Sequence, residues 1–281
     1  MAEALRDPRL TPARPDLAAE HLRGEVEAAR YAAPRRLRVA VAACPVTAAP
    51  DPEAPMTTQL LFGERFAAYE ATAGWVWGQC EGDGYVGYAP DSGFAADDGP
   101  APEWRVRALH ALVYCAPDLK SRPVAALPFG ARVAASPAGA KFHALDQGGF
   151  VPSVHLAPAD AVAPDWVAVA ETFLGAPYLW GGRSAAGIDC SGLVQVARQA
   201  AGFACPRDSD MQRAAPGRDV RAMRRGDLVF WRGHVGVMVS PTRMLHANAH
   251  HMAVAVEPLD GAAARIAAQG GGEILAMRRW A

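Results

Sequence analysis

Cys190 stands between Gly187-Ile188-Asp189 and Ser191-Gly192-Leu193-Val194-Gln195, a setting that predicts the first turn of a helix. Unpaired N–H groups and the positive dipole end at such a position favour a thiolate, the form of sulfur that attacks carbonyl carbon. The flanking glycines would admit a substrate backbone. A cysteine nucleophile needs a base and a group that orients the base. His234 and His246 flank a turn at residues 240–243, so antiparallel pairing brings them onto neighbouring strands, with the register left open. With Cys190 they suggest a Cys/His/His triad. The other cysteines (Cys44, Cys80, Cys115 and Cys205) are scattered with no CxxC pair, so neither a disulfide framework nor a zinc ribbon is indicated. His246, His250 and His251 with Cys205 lack metal-ligand spacing, and no metal or cofactor is expected.

The elements that must hold these groups follow from periodicity. Pro164-Asp165 opens a helix with Trp166, Val169, Ala170, Phe173 and Leu174 on one face, closed by Gly175. A second helix follows Asp189, with Leu193, Val194, Ala197 and Ala200 on its apolar face and Gly202 at its end. Residues 227–231, 234–239 and 244–247 read as strands. Arg278-Arg279 reads as a solvated pair. Residues 161–281 therefore predict an α+β domain.

Upstream, residues 37–158 change to short β-type runs broken by Gly, Pro and Asp, the texture of small barrels. Leu60-Leu61-Phe62-Gly63-Glu64-Arg65-Phe66-Ala67-Ala68 returns as Leu127-Pro128-Phe129-Gly130-Ala131-Arg132-Val133-Ala134-Ala135. Two copies are too few for a solenoid, which predicts two separate barrels, 37–98 and 102–160, with an acidic linker between them. Residues 1–36 form an arm with a helical pattern at Leu17, Leu22, Val26 and Ala29. Twenty-eight basic against 29 acidic residues leave no footprint for nucleic acid or an anionic membrane. The charged, proline-bearing N-terminus and the lack of an apolar run of about 18 residues point to a cytosolic, cytoplasmic chain.

Pro177-Tyr178-Leu179-Trp180-Gly181-Gly182, the run around Cys190, Pro206-Arg207-Asp208-Ser209-Asp210-Met211-Gln212, Gly226-Asp227-Leu228-Val229-Phe230 and His234-Val235-Gly236-Val237 occur in that order. This succession resembles the NlpC/P60 cysteine peptidases, and the upstream barrels resemble the bacterial SH3 domains that such enzymes carry. The implied fold is multidomain, with two small SH3-like β-barrels followed by an α+β papain-like catalytic domain. The resemblance implies hydrolysis of the bond between γ-D-glutamate and a diamino acid in murein peptides. It makes Cys190 the nucleophile, His234 the base and His246 the residue that orients it.

Members with N-terminal SH3 domains resemble a murein-recycling enzyme of the dipeptidyl-peptidase VI type, whose first SH3 domain walls off one end of the cleft and binds the amine of an N-terminal L-alanine. The corresponding substrate-binding positions are Glu64, Tyr85, Asp189, Ser191, Asp208 and Ser209. The repeat adds a hint, because the second copy has Ala131 in place of Glu64 and Phe150 in place of Tyr85. The expected partner is a murein-derived peptide, L-Ala-γ-D-Glu-diamino acid. The rival readings are an endopeptidase that degrades intact peptidoglycan, a non-catalytic wall-peptide-binding module, and an acyl-transferring relative.

Overall fold

The computed structural model describes residues 6–280, and the chain divides into two compact units, 1–159 and 160–281. In the first unit, a seven-stranded antiparallel sheet runs in the order Met56–Leu61, Ala43–Thr47, Val86–Pro90, Trp75–Cys80, Arg65–Thr72, Arg35–Val39, Phe94–Ala96. A 3-10 turn, Asp91–Gly93, precedes its last strand. The next stretch repeats this connectivity. Pro123–Pro128, His110–Tyr114, Phe150–Pro152, Phe142–Leu145 and Ala135–Ala138 make a five-stranded sheet, and Arg132–Val133, Trp104–Val106 and Leu156–Pro158 a three-stranded one. The 3-10 turn Ser153–His155 again precedes the final strand. Val106, Ala111, Val113, Leu127, Val133, Val151 and Leu156 form its core. The repeated turns meet: the Arg132 N–H donates to the Phe62 carbonyl at 2.8 Å. A Cβ on Gly63, which sits at φ +80, would lie 1.9 Å from the Arg132 carbonyl oxygen. Glycine is required there by both conformation and space.

The arm departs from expectation. No α-helix follows Asp16; the 3-10 turn Glu20–Leu22 is flanked by Ala18–Ala19, paired in parallel with Tyr31–Ala32. Pro15 and Gly24 leave only eight residues between them, too few to repay helix nucleation. Leu17 and Leu22 are buried, as their spacing suggests, but against Ala67, Tyr69 and Trp77 of the seven-stranded sheet. Arg14 fastens the arm: its guanidinium lies 4.4 Å from the centroid of the Trp77 ring, donates to Tyr88 Oη at 2.9 Å and pairs with Glu70 at 2.6 Å.

The second unit holds α1 (Trp166–Thr172), α2 (Cys190–Ala200), α3 (Ser209–Ala214) and α4 (Leu259–Ala268). Its six-stranded antiparallel sheet has the order Arg218–Asp219, Ala276–Arg279, Leu228–Trp231, His234–Met238, Arg243–Asn248, Ala253–Pro258. Asp165 caps α1 by accepting from Val167 N and Ala168 N, and α2 packs on α1 and on the two central strands that carry the histidines. Leu259 and Ala262 of α4 join Val229, Trp231, Met238 and Met244 in one core cluster. Arg278-Arg279 is not a solvated pair. Arg279 makes two bonds to the fully buried Asp227 carboxylate, at 2.6 and 2.7 Å, and Arg278 donates to Asp219 Oδ1 at 3.2 Å. Both tie the last strand to its neighbours.

Candidate active site

Cys190 is the first residue of α2 and Asp189 its N-cap, whose Oδ1 accepts from Gly192 N at 2.7 Å. The same carboxylate accepts from Gly181 N at 2.8 Å, from the Ser191 hydroxyl at 3.3 Å, and from both Arg207 Nη atoms at 3.0 and 2.6 Å. Arg207, 1% exposed, also donates to Ser191 Oγ at 2.9 Å. Burial works against its charge, but Asp189 outweighs burial and raises its pKa. The glycines do local work: a Cβ on Gly192 would lie 2.3 Å from the Gly182 carbonyl oxygen. They therefore let the start of α2 close onto the loop before it, and the room expected for a substrate backbone is filled by the protein's own chain.

Asp189 also changes the expected state of the sulfur. Cys190 is only 7% exposed; burial first, and then the Asp189 charge, push its thiol up to about 12. The N–H groups of Val235 and Ser191 and the Arg207 charge oppose this without prevailing. Burial and the Asp189 carboxylate, which caps the helix, takes the Gly192 donor and adds a negative charge beside the sulfur, work against the thiolate that a helix start favours. Burial likewise pushes the Tyr178 phenol up to about 12, helped by the Cys190 and Asp189 charges.

The histidines meet through sheet geometry. Val237 pairs with Leu245 and Met238 with Met244, so the continued register sets His246 opposite Gly236, on the same face as His234 and one diagonal step from it. Diagonal neighbours lie within reach of ring side chains: the His234 Nε2 to His246 Nδ1 distance is 2.8 Å. The next pairing, Met244 with Glu257 and His246 with Ala255, repeats the step. Glu257 Oε1 lies 2.7 Å from His246 Nε2, and Arg265 of α4 bonds the same oxygen. Burial lowers His234 to about 3, with His246 and Arg265 adding to the effect. Burial also lowers His246 to about 4 despite Glu257. Burial thus favours the neutral form of both rings.

The structure thus brings His234, His246 and Glu257 together, sets the Val235 N–H, next to His234 in the chain, against the Cys190 sulfur, and joins Asp189, Ser191 and Arg207. Ser209 is buried at the start of α3, for which Asp208 is the N-cap residue. Glu64 and Tyr85 belong to the first unit. Glu64 Oε2 accepts from Leu61 N at 2.8 Å, bracing the turn that contains Gly63; Tyr85 is buried, with its N–H donating to Asp83 Oδ1 at 3.1 Å. Sequence reading gave no role to Arg207, Glu257 or Arg265. The alternation of Val254, Val256 and the residues between them was a signal for the strand that carries Glu257.

Two pH-dependent outcomes are expected. Among the five cysteines Cys115 alone is exposed, so iodoacetamide should modify Cys115 first, and alkylation of Cys190 should climb through the alkaline range with no plateau near neutrality. The acid limb of activity, set by protonation of a histidine base, should fall well below pH 6.5 because burial lowers that group. Site-resolved mass spectrometry and a pH–rate profile check both; a Cys190 labelling plateau at pH 7 would contradict the neutral thiol.

Residues 175–267 match the NlpC/P60 family, and residues 46–94 match the bacterial dipeptidyl-peptidase SH3 domain. The chain therefore carries a bacterial SH3 domain ahead of an NlpC/P60 domain. Among curated relatives, a γ-D-glutamyl-L-lysine dipeptidyl-peptidase of Bacillus subtilis is 40% identical over 94 residues, covering 30% of this chain and 32% of that protein. Dipeptidyl-peptidase 6 of Lysinibacillus sphaericus is 36% identical over 96 residues, covering 34% of this chain and 35% of that protein. The matched stretch spans about a third of each relative's length. The crystal structure of an NlpC/P60 family protein from Bacillus cereus superposes with a TM-score of 0.72, covering 87% of this chain and 99% of that one at 21% identity, which is a likeness of fold.

Proposed function

We propose that the chain is a cysteine peptidase that cuts the bond between γ-D-glutamate and a diamino acid in murein peptides bearing a free N-terminal L-alanine, in the recycling of cell-wall peptides. The observation that carries this reading is the line of His234, His246 and Glu257 across three strands, with the Val235 N–H turned to the Cys190 sulfur. In this reading the His234 imidazole takes the thiol proton as sulfur attacks the γ-carbonyl carbon. It returns that proton to the departing amino group as the C–N bond breaks, leaving a thioester. Water, deprotonated by the same ring, then releases the dipeptide and restores the thiol. A thiol held neutral until its base acts suits this general-base sequence.

The reading extends to two SH3-like barrels, at 37–98 and 102–160, on the repeated connectivity described above. Substrate selection is assigned to Glu64, Tyr85, Asp208 and Ser209. Asp189 and Ser191 stand behind them, since both already serve Arg207. The setting assigned in this reading is a reducing, cytoplasmic one.

The test compares L-Ala-γ-D-Glu-meso-diaminopimelate with its N-acetyl form and with intact murein, the products being read by mass spectrometry. Release of L-Ala-D-Glu and free diamino acid is expected from the first. A buried ammonium gains about 1.5–3 kcal/mol from each charge-assisted bond, so acetylation should lower kcat/KM by at least about 100-fold. Equal rates on free and blocked peptides would favour a wall-degrading endopeptidase, and no turnover of any of the three a binding module.

A further inference from the structure

The two-histidine arrangement leaves open which nitrogen carries each proton, and a neutral imidazole can act as the base only from the nitrogen that carries none. His234 Nε2 is engaged by His246 Nδ1, so the base must work through His234 Nδ1. Nothing in the pair itself prevents the opposite arrangement, with a hydrogen on His234 Nδ1 and none on Nε2. The two arrangements differ only in the direction of the hydrogen bonds.

Glu257 supplies that direction. An ionised carboxylate only accepts hydrogen bonds. Burial raises the pKa of Glu257, but bonds from His246 and the charge and bonds of Arg265 outweigh it and hold the carboxyl below its ordinary range. The hydrogen between Glu257 Oε1 and His246 Nε2 therefore sits on nitrogen. His246 is neutral, so its Nδ1 carries a lone pair and accepts; His234 Nε2 must then donate, which leaves His234 Nδ1 bare.

Resting on the assignment of His234 as the base, we propose that Glu257, seated by Arg265, is a positioning residue that fixes the tautomers of both imidazoles and so keeps His234 Nδ1 free to take the thiol proton. Arg265 and His246 address the same oxygen, Oε1. An amide in place of the carboxylate can keep an oxygen facing both donors, since rotation would turn its NH2 onto Arg265. The requirement is thus for an acceptor at that point.

The proposal is tested with full-length Glu257→Leu, Glu257→Gln, His246→Asn and the His246→Asn/Glu257→Leu double variant, each first shown folded by its melting curve. Nitrogen-15 NMR of the histidine rings should find His246 protonated at Nε2 and His234 at Nε2 in the parent protein, with that preference lost in Glu257→Leu and kept in Glu257→Gln. Glu257→Leu should lower kcat roughly 10- to 100-fold, the range for loss of a partner that orients a metal-ligating histidine and less than for the direct partner of a catalytic base, with KM little changed. Glu257→Gln should retain most of the activity. Because Glu257 acts through His246, Glu257→Leu should cost nothing further in the His246→Asn background. Unchanged tautomers, or full kcat in Glu257→Leu beside an inactive Cys190→Ala, would overturn this inference alone; activity surviving in Cys190→Ala would overturn the assignment of the site beneath it. If Glu257→Leu fails to fold, the Glu257→Gln spectrum decides: a parent-like pattern supports the proposal and a reversed one ends it.

Discussion

His234→Ala is expected to lower kcat by about ten-thousandfold or more, with KM within a fewfold of the parent. A triad member that both takes and returns the proton acts as a unit with its nucleophile, and its loss costs nearly as much as loss of the whole set. Here the dependence is sharpened by the state of the sulfur. Burial and Asp189 hold the Cys190 thiol neutral, so little thiolate exists at pH 7 to sustain a residual rate. His246→Asn should be milder, losing about 10- to 100-fold. The asparagine oxygen stands at nearly the same reach along the side chain as Nδ1, 2.8 Å from His234 Nε2, and can still accept from it. What it loses is the link to Glu257. Steady-state kinetics on the tripeptide decide the point: if His246→Asn proves more severe than His234→Ala, the two roles are exchanged.

The contrast between these two residues also marks what the sequence made legible. Cys190 could be placed at a helix start because Asp189, the glycines and the apolar face of α2 signal locally. The strands of His234 and His246 could be recognised because alternation and the turn at 240–243 are local too. Their register could not, since it is set by pairing that no short window contains. Glu257 lies 11 positions after His246, outside any motif, and joins the line only because two successive diagonal steps across the sheet coincide. The arm shows the reverse case. Leu17, Leu22 and Val26 have helical spacing, yet the barrel surface around Trp77 offered more burial than a short isolated helix could. The upward push on the Cys190 thiol was hidden for a similar reason, because a helix terminus favours an anion only where its donors are unclaimed, and Asp189 claims one of them.

Arg207→Met is expected to destabilise the second unit by about 3–5 kcal/mol, the usual cost of deleting one partner of a buried ion pair. The guanidinium is 1% exposed and makes bonds to both oxygens of Asp189 and to Ser191 Oγ. Removing it leaves a largely buried carboxylate with the Gly181 and Gly192 N–H groups and the Ser191 hydroxyl as its remaining donors. Asp189→Asn should also be costly even though an asparagine still caps a helix well, because it removes the carboxylate charge that both Arg207 Nη atoms bond. The Asp189→Asn/Arg207→Met double variant, which strands neither charge, should recover part of the loss, so the two effects should be strongly non-additive. Hydrogen exchange at the amides of α2, read as a function of urea, measures this within the second unit and avoids treating a chain of two units as one transition. The chemistry should follow: the Arg207 charge is one of the few influences that lower the Cys190 pKa, so Arg207→Met should slow alkylation of Cys190 even under conditions where α2 remains protected. If the single variants lose less than about 1 kcal/mol, the range of exposed pairs, or if their effects simply add, the buried pair does not anchor the nucleophile helix.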